Sequence, residues 1–390
     1  MKYFEVFFTA LRLGLTSFGG PIAHLGYFRD EYVIKKKWIS DHGYADLVAL
    51  CQFLPGPASS QVGMAIGLSR AGLLGAILSW AGFTFPSALI LIIFGLGMSN
   101  LDVSLHQHWL HGLKVVAVSV VAQAVLGMGK NLCPDKERIT LAIVSMVVVL
   151  LANSAFIQIL VLLGAGIFGV FFFKSSSDLP HEPLHTGGRI RGAVFVFLFF
   201  ALLIVLPLAR NLYPDRSIKL FDSFYRAGAL VFGGGHVVLP LLQAEVVPTG
   251  WVTNDIFMAG YGVANAIPGP LFAFSSYLGA ASVLPPNGWL GGIICLCAAF
   301  LPSFLLIVGS LPFWESLRRL PNIRHAMLGL NASVVGILLA ALYRPVWTSA
   351  IFTPKDFAVA AIGFILLQFW NLPSWAVVLL SVLVSFFIYG

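Results

Sequence analysis

Polar positions in this chain come as short islands between long apolar runs. The stretches 73–98, 139–173 and 194–209 hold no Asp, Glu, Lys or Arg. A membrane span needs about 20 predominantly apolar residues, so each stretch predicts a membrane-embedded helical element. Other apolar runs are broken midway by helix breakers. Run 4–33 is interrupted at Phe18-Gly19-Gly20-Pro21, and run 45–70 at Pro55-Gly56-Pro57. Runs 220–247 and 256–283 repeat this with Gly233-Gly234-Gly235 and Pro268-Gly269-Pro270. Each broken run predicts a re-entrant hairpin of paired half-helices. The run 139–173 has room for two short legs split near Asn153-Ser154. The expected fold is an all-α polytopic membrane protein.

Composition agrees. Apolar residues make up 58% of 390 positions and charged residues 10%, whereas a soluble domain carries roughly 25% charged residues. That excludes a large soluble core, which needs a polar shell. The start, with Glu5 and Arg12, has no clean apolar region or cleavage site of a signal peptide. Cys51, Cys133, Cys295 and Cys297 read as small apolar packers, without metal-ligand spacing. The net charge of +7 sits in short loops, where it orients the chain in the bilayer and gives no reason to expect a nucleic-acid partner.

The chain repeats itself. Arg12-x-Gly14-x-x-x-Phe18-Gly19-Gly20 recurs as Arg226-x-Gly228-x-x-x-Phe232-Gly233-Gly234, at an offset of 214. Trp38 precedes Pro55 by 17 residues, and Trp251 precedes Pro268 by 17. Gly72, Gly75, Pro86 and Ser87 match Gly288, Gly291, Pro302 and Ser303 at an offset of 216. Loop charges alternate between the copies. Segment 29–37 holds Arg29, Lys35, Lys36 and Lys37, and its counterpart 240–255 has no Lys or Arg; 100–112 has no Lys or Arg, whereas 313–325 has Arg318, Arg319 and Arg324. Matching loops therefore fall on opposite faces, the pattern of an inverted-topology repeat. The expected units are a first repeat 1–173, a cytoplasmic polar linker 174–191, and a second repeat 192–390. An extra helix 192–209 opens the second unit and supplies the inversion. Arg210, Arg216, Lys219, Arg344 and Lys355 then fall outside, against the positive-inside tendency.

Broken helices at membrane depth line cavities buried in protein, and a half-helix start presents free N–H groups and a positive dipole end. Such a site suits an anion. Four breaks, two per repeat, are expected to converge near the midplane. Pro57 is expected in the first turn of a new helix. Arg12 and Arg226 add donors suited to a tetrahedral oxyanion, or else pair with Glu5, Asp222 or helix-end carbonyls, or snorkel to the interface. His236 offers a donor or a coupling proton, or packs as a hydrogen-bonded core histidine. Gln52 and Asn265 correspond at an offset of 213 and place amides near the two Pro-Gly-Pro turns. Ser59, Ser60 and Gln61 face Phe272, Ala273 and Phe274 in the other copy, an asymmetry between the halves. His106, His108 and His111 read as a solvated loop more readily than as a metal cluster. Asp46 reads as an N-terminal helix charge. No P-loop, HExxH or nucleophile elbow is present.

The motifs from Arg12 to Gly20, Pro55-Gly56-Pro57, Phe232-Gly233-Gly234-Gly235-His236 and Pro268-Gly269-Pro270 resemble those of the chromate ion transporter family, its long-chain two-domain type. The resemblance covers nearly the whole chain. It implies a secondary transporter of the inner membrane that exports chromate and confers chromate resistance, with sulfate as competitor or alternative substrate. It implies no enzymatic activity and no cofactor. The motif residues that carry over are Arg12, Phe18, Gly19, Gly20, Pro55, Gly56, Pro57, Arg226, Gly233, Gly234, Gly235, His236, Pro268, Gly269 and Pro270. The first copy has Pro21-Ile22 where the second has Gly235-His236, so a symmetric histidine pair is absent. The alternatives are an importer of sulfate or another oxyanion and, further off, a membrane-embedded enzyme or lipid scramblase. A homodimer stays open.

Overall fold

The computed structural model describes residues 2–100, 107–152, 155–173, 188–213, 215–232, 235–314 and 320–389. Among these residues all regular structure is helical. Most of the linker, 174–187, lies outside them, as do His106, Asn153, Ser154, Gly233, Gly234, Arg318 and Arg319.

The first repeat runs α1 Lys2–Thr16, α2 Gly20–Phe28, α3 Asp41–Phe53, α4 Ala58–Asn100, α5 Gln107–Leu132, α6 Lys136–Leu151 and α7 Ala155–Phe172. A π-helical turn, Arg29–Lys35, extends α2. α4 is two limbs joined at Ala71 and Gly72, where the backbone leaves helical geometry. α8, Arg189–Leu212, stands between the two repeats and is largely exposed, with an apolar surface suited to lipid. The second repeat follows in the same order: α9 Arg216–Ala229, α10 Val238–Val246, α11 Asn254–Ala266, α12 Phe274–Ala280, α13 Gly288–Ser310, α14 Pro321–Ala341, α15 Pro354–Gln368 and α16 Ser374–Tyr389. Short 3₁₀ turns, Gly235–Val237 and Leu271–Ala273, open α10 and α12.

The broken runs do turn back. Lys36, past the end of α2, meets Glu5 in the first turn of α1 at 3.2 Å. Arg70, at the end of the first limb of α4, lies 5.0 Å from the Trp38 ring just before α3. In the second repeat the Val283 N–H, past α12, donates to the Trp251 carbonyl ahead of α11 at 3.0 Å. Each hairpin therefore returns to its own side. The remaining single passes between matched elements are the second limb of α4, α5 and α8. Three passes is an odd number, which inverts the second repeat.

The repeats interlock. The α6–α7 hairpin of the first packs on α14 of the second, and the α15–α16 hairpin of the second packs on α5 of the first. Near the centre two backbone bonds mirror each other. Gly56 N–H donates to the Val231 carbonyl at 2.6 Å, and Gly269 N–H donates to the Ser17 carbonyl at 3.0 Å. Both glycines sit at positive φ, 119° and 103°, a region that strains any residue with a Cβ. A Cβ on Gly56 would strike Ser303 Oγ, and one on Gly269 would strike Ser87 Oγ. Pro57 and Pro270 are helix caps, one position earlier than a first-turn proline. The Pro57 carbonyl accepts from Gln61 N–H, and that of Pro270 from Ala273 N–H.

Candidate functional site

Beside these breaks lies a partly open pocket of about 350 Å³, within the size range of small-ligand sites. One wall is the start of α2, from Phe18 and Gly19 through Gly20 and Ala23 to His24 and Tyr27. A second is the end of α11 and its break, with Asn265, Ile267, Gly269 and Leu271. His236 contributes from the turn that opens α10, and Val120 and Gln123 from α5. The turn between α15 and α16, Asn371 to Ser374, closes the remaining side. None of the lining residues is Asp, Glu, Lys or Arg.

The polarity comes from neutral donors and helix starts. α2 begins at Gly20 without a side-chain cap, after Gly19 in left-handed geometry. α16 begins at Ser374, on the pocket wall. The first N–H groups of a helix have no intrahelical partner, and each helix start carries roughly half a positive charge. His236 Nδ1 lies 2.8 Å from the Tyr261 hydroxyl. With that hydroxyl donating, the ring proton sits on Nε2, which faces Gly20: a Cβ there would be 3.7 Å from it. Asn265 is held by a bond from its Nδ2 to the Tyr261 carbonyl at 2.8 Å. His24 is buried, with Nδ1 3.3 Å from Ser59 Oγ, so the serine after the first Pro-Gly-Pro turn braces the pocket wall.

The structure brings together Phe18, Gly19, Gly20, His236, Asn265 and Gly269. It does not place Gln52, Pro55, Gly56 or Pro57 on this wall. Gln52 is exposed, and Gly56 is engaged with Val231. Pro268 and Pro270 flank the Gly269 lining, and Gly235 is buried beside His236. Gly233 and Gly234 lie outside the described residues.

Both arginines stand away from the pocket, next to carboxylates. Arg226 donates to Asp222 at 2.9 and 3.1 Å and to Glu245 at 2.9 and 3.2 Å. Arg210 of α8 adds a bond to Asp222 at 3.1 Å. Arg12 is 66% exposed and lies 3.9 Å from Glu31, which Lys35 also approaches at 3.3 Å. Asp46 is buried and accepts from the Trp314 indole at 3.1 Å, so it ties the repeats together. His111 is paired with the buried Asp356 at 2.7 Å, not solvated.

The sequence reading missed Gln123, His24, Tyr27 and the Asn371–Ser374 turn. A signal for the turn was available, since Asn153 and Asn371 match at the offset of 218 that relates the helix caps Asp135 and Thr353. The ion pairs had one too. Glu31 follows Arg12 by 19 residues, and Glu245 follows Arg226 by 19.

The family model described as chromate transporter matches residues 4–170 and again 218–386. A chromate transport protein of Pseudomonas aeruginosa is 27% identical over 344 residues, covering 87% of this chain and 80% of that protein. One from Cupriavidus metallidurans is 26% identical over 338 residues, 85% and 80% of the two chains. An uncharacterized transporter of Methanocaldococcus jannaschii is 27% identical over 354 residues, 87% and 83%. No solved structure matches.

Proposed function

The chain belongs to the chromate transporter family, and we propose that it is a secondary carrier that moves chromate out of the cytoplasm through the pocket between Gly20, His236 and Asn265. The observation that carries this reading is a pocket onto which two helix starts, α2 and α16, and several neutral donors open beside the end of α11, with no carboxylate among its described lining residues to repel an anion. A tetrahedral dianion entering it exchanges water for backbone N–H groups, the Asn265 and Gln123 amides and the His236 ring. The chemistry breaks no bond in the substrate, so the protein acts as a carrier and not an enzyme. The relatives from Pseudomonas aeruginosa and Cupriavidus metallidurans carry the name of chromate transport.

The pocket reads shape and charge, which chromate and sulfate share, so sulfate competes. Direction follows from the membrane potential. Moving one charge is worth about 2.3 kcal/mol per 100 mV, so a dianion gains about twice that on leaving a negative interior. Uncoupled transport therefore runs outward, and resistance to chromate follows. The basic segment from Arg29 to Lys37 supports, by the positive-inside tendency, a reading with the α1–α2 hairpin ends and the linker on the cytoplasmic side of an inner membrane, and 240–255 and the end of α16 on the far side.

Purified protein in liposomes tests the reading. Chromate inside the vesicles should leave faster when the interior is made negative, unchanged chemically, and sulfate should slow it. Voltage-independent flux, flux of sulfate alone, or lipid movement without anion movement would each overturn it.

A further inference from the structure

The two repeats share their order of elements and differ in their ion pairs and in burial. Arg226 and Glu245 correspond to Arg12 and Glu31 at the offset of 214. The second pair is reinforced. Asp222, 1% exposed, binds both Arg226 and Arg210, and the Ser223 hydroxyl donates to Glu245 at 2.7 Å. In the first repeat the position of Asp222 is taken by Phe8 (222 − 214 = 8). Arg12 is left with one long contact to Glu31 and an exposed side chain.

Burial differs in the same sense at matched positions deeper in the protein. Tyr27 lines the pocket and is 42% exposed, and its match Leu241 is 4% exposed. Ala23 and Gln123, also on the pocket wall, are half-buried. Their matches Val237 and Ile337 are each 1% exposed. Val237 and Leu241 lie on the same helical stretch as Glu245, between the central breaks and the ion cluster.

We propose that Arg226, Asp222, Glu245 and Arg210 form a latch that shuts a second vestibule, the counterpart of the open pocket, lined by Val237, Leu241 and Ile337. Arg12–Glu31 is the matching latch, slack in this conformation. In the alternate state the roles exchange: the first latch tightens over Tyr27 while the second releases and the Leu241 face opens to the opposite side. This rests on the carrier reading and adds its conformational cycle. Charge-assisted bonds suit such a device because they are strong when desolvated and are replaced by water when the ends part.

Labelling of single cysteines with a membrane-impermeant thiol reagent, in vesicles of both orientations, tests it. In a background without the four native cysteines, Tyr27→Cys should label from one face and Leu241→Cys from neither. Glu245→Gln should raise Leu241→Cys labelling at least about ten-fold, the shift one lost charge-assisted contact gives a two-state balance. The gain should come from the face opposite to Tyr27. A second variant avoids weakening the buried cluster. Phe8→Asp gives Arg12 the carboxylate that Asp222 gives Arg226, on an exposed surface, and should lower Tyr27→Cys labelling while raising that of Leu241→Cys. Unchanged labelling in both variants would overturn the latch, as would labelling that rises equally from both faces. Wild-type chromate flux separates the failures. Intact flux with unchanged labelling removes the latch alone, whereas absent flux removes the carrier reading beneath it.

Discussion

The break at Ser17–Gly20 and the break at Val231–Gly235 occupy matched places in the two repeats, and each carbonyl ahead of the glycines receives an N–H from the Pro-Gly-Pro turn of the other repeat. Among the described residues, the pocket stands beside the first, and His236 reaches it from just past the second. Ala23, Tyr27 and Gln123 line it, while their matches Val237, Leu241 and Ile337 are buried. The backbone frame is duplicated, and side chains and ion pairs make the halves unequal. A carrier needs both properties: a symmetric frame that can adopt mirror-related states, and asymmetry that holds one of them.

The frame is the harshest place to intervene. Gly56→Val and Gly269→Val each add a Cβ against a serine hydroxyl and force a branched residue to positive φ. Strain of about 1–3 kcal/mol per site, plus loss of the crossing bond, should abolish chromate flux in both variants at normal membrane expression. Retained flux in one of them would show that the two crossings are not equivalent.

The arginines should separate the repeats most clearly. Arg226→Ala leaves the buried Asp222 with part of its compensation gone, and loss of one partner from a buried pair costs about 3–5 kcal/mol. Arg12→Ala removes an exposed contact worth about 0–1 kcal/mol. Thermal unfolding in detergent should show a large drop for the first and little change for the second. Equal drops would contradict the asymmetry.

Smaller effects belong to the pocket wall. His236→Ala or Asn265→Ala should raise the KM for chromate about ten- to a hundred-fold, the loss of one hydrogen bond of about 1.5–3 kcal/mol to a charged ligand. Gln52→Ala, at the matched but exposed position, should leave KM unchanged. Ser59→Ala removes only a neutral brace on His24, worth about 0.5–1.5 kcal/mol, and should shift KM the least.

The breaks were legible because glycine and proline act locally: Gly19, Gly20, Pro55 and Pro268 interrupt a helix wherever the rest of the chain goes. The inversion was legible because loop charge is also local. The pocket was legible only in part. Phe18, Gly20, His236, Asn265 and Gly269 announce themselves beside a break, whereas Asn371 and Ser374 reach the site only because the α15–α16 hairpin packs on the other repeat. The arginines show the same limit. Arg12 and Arg226 lie close to the breaks in sequence, but their partners Glu31 and Glu245 meet them across a hairpin. That pairing needs the folded turn to be visible.

The central claim, that chromate binds between Gly20, His236 and Asn265, can be tested by locating the metal itself. Diffraction from crystals soaked in chromate, collected at the chromium absorption edge, should give one anomalous peak in this pocket, within hydrogen-bond reach of His236 Nε2, and sulfate should displace it. A peak beside Arg226 and Glu245, or none at saturating chromate, would contradict the account.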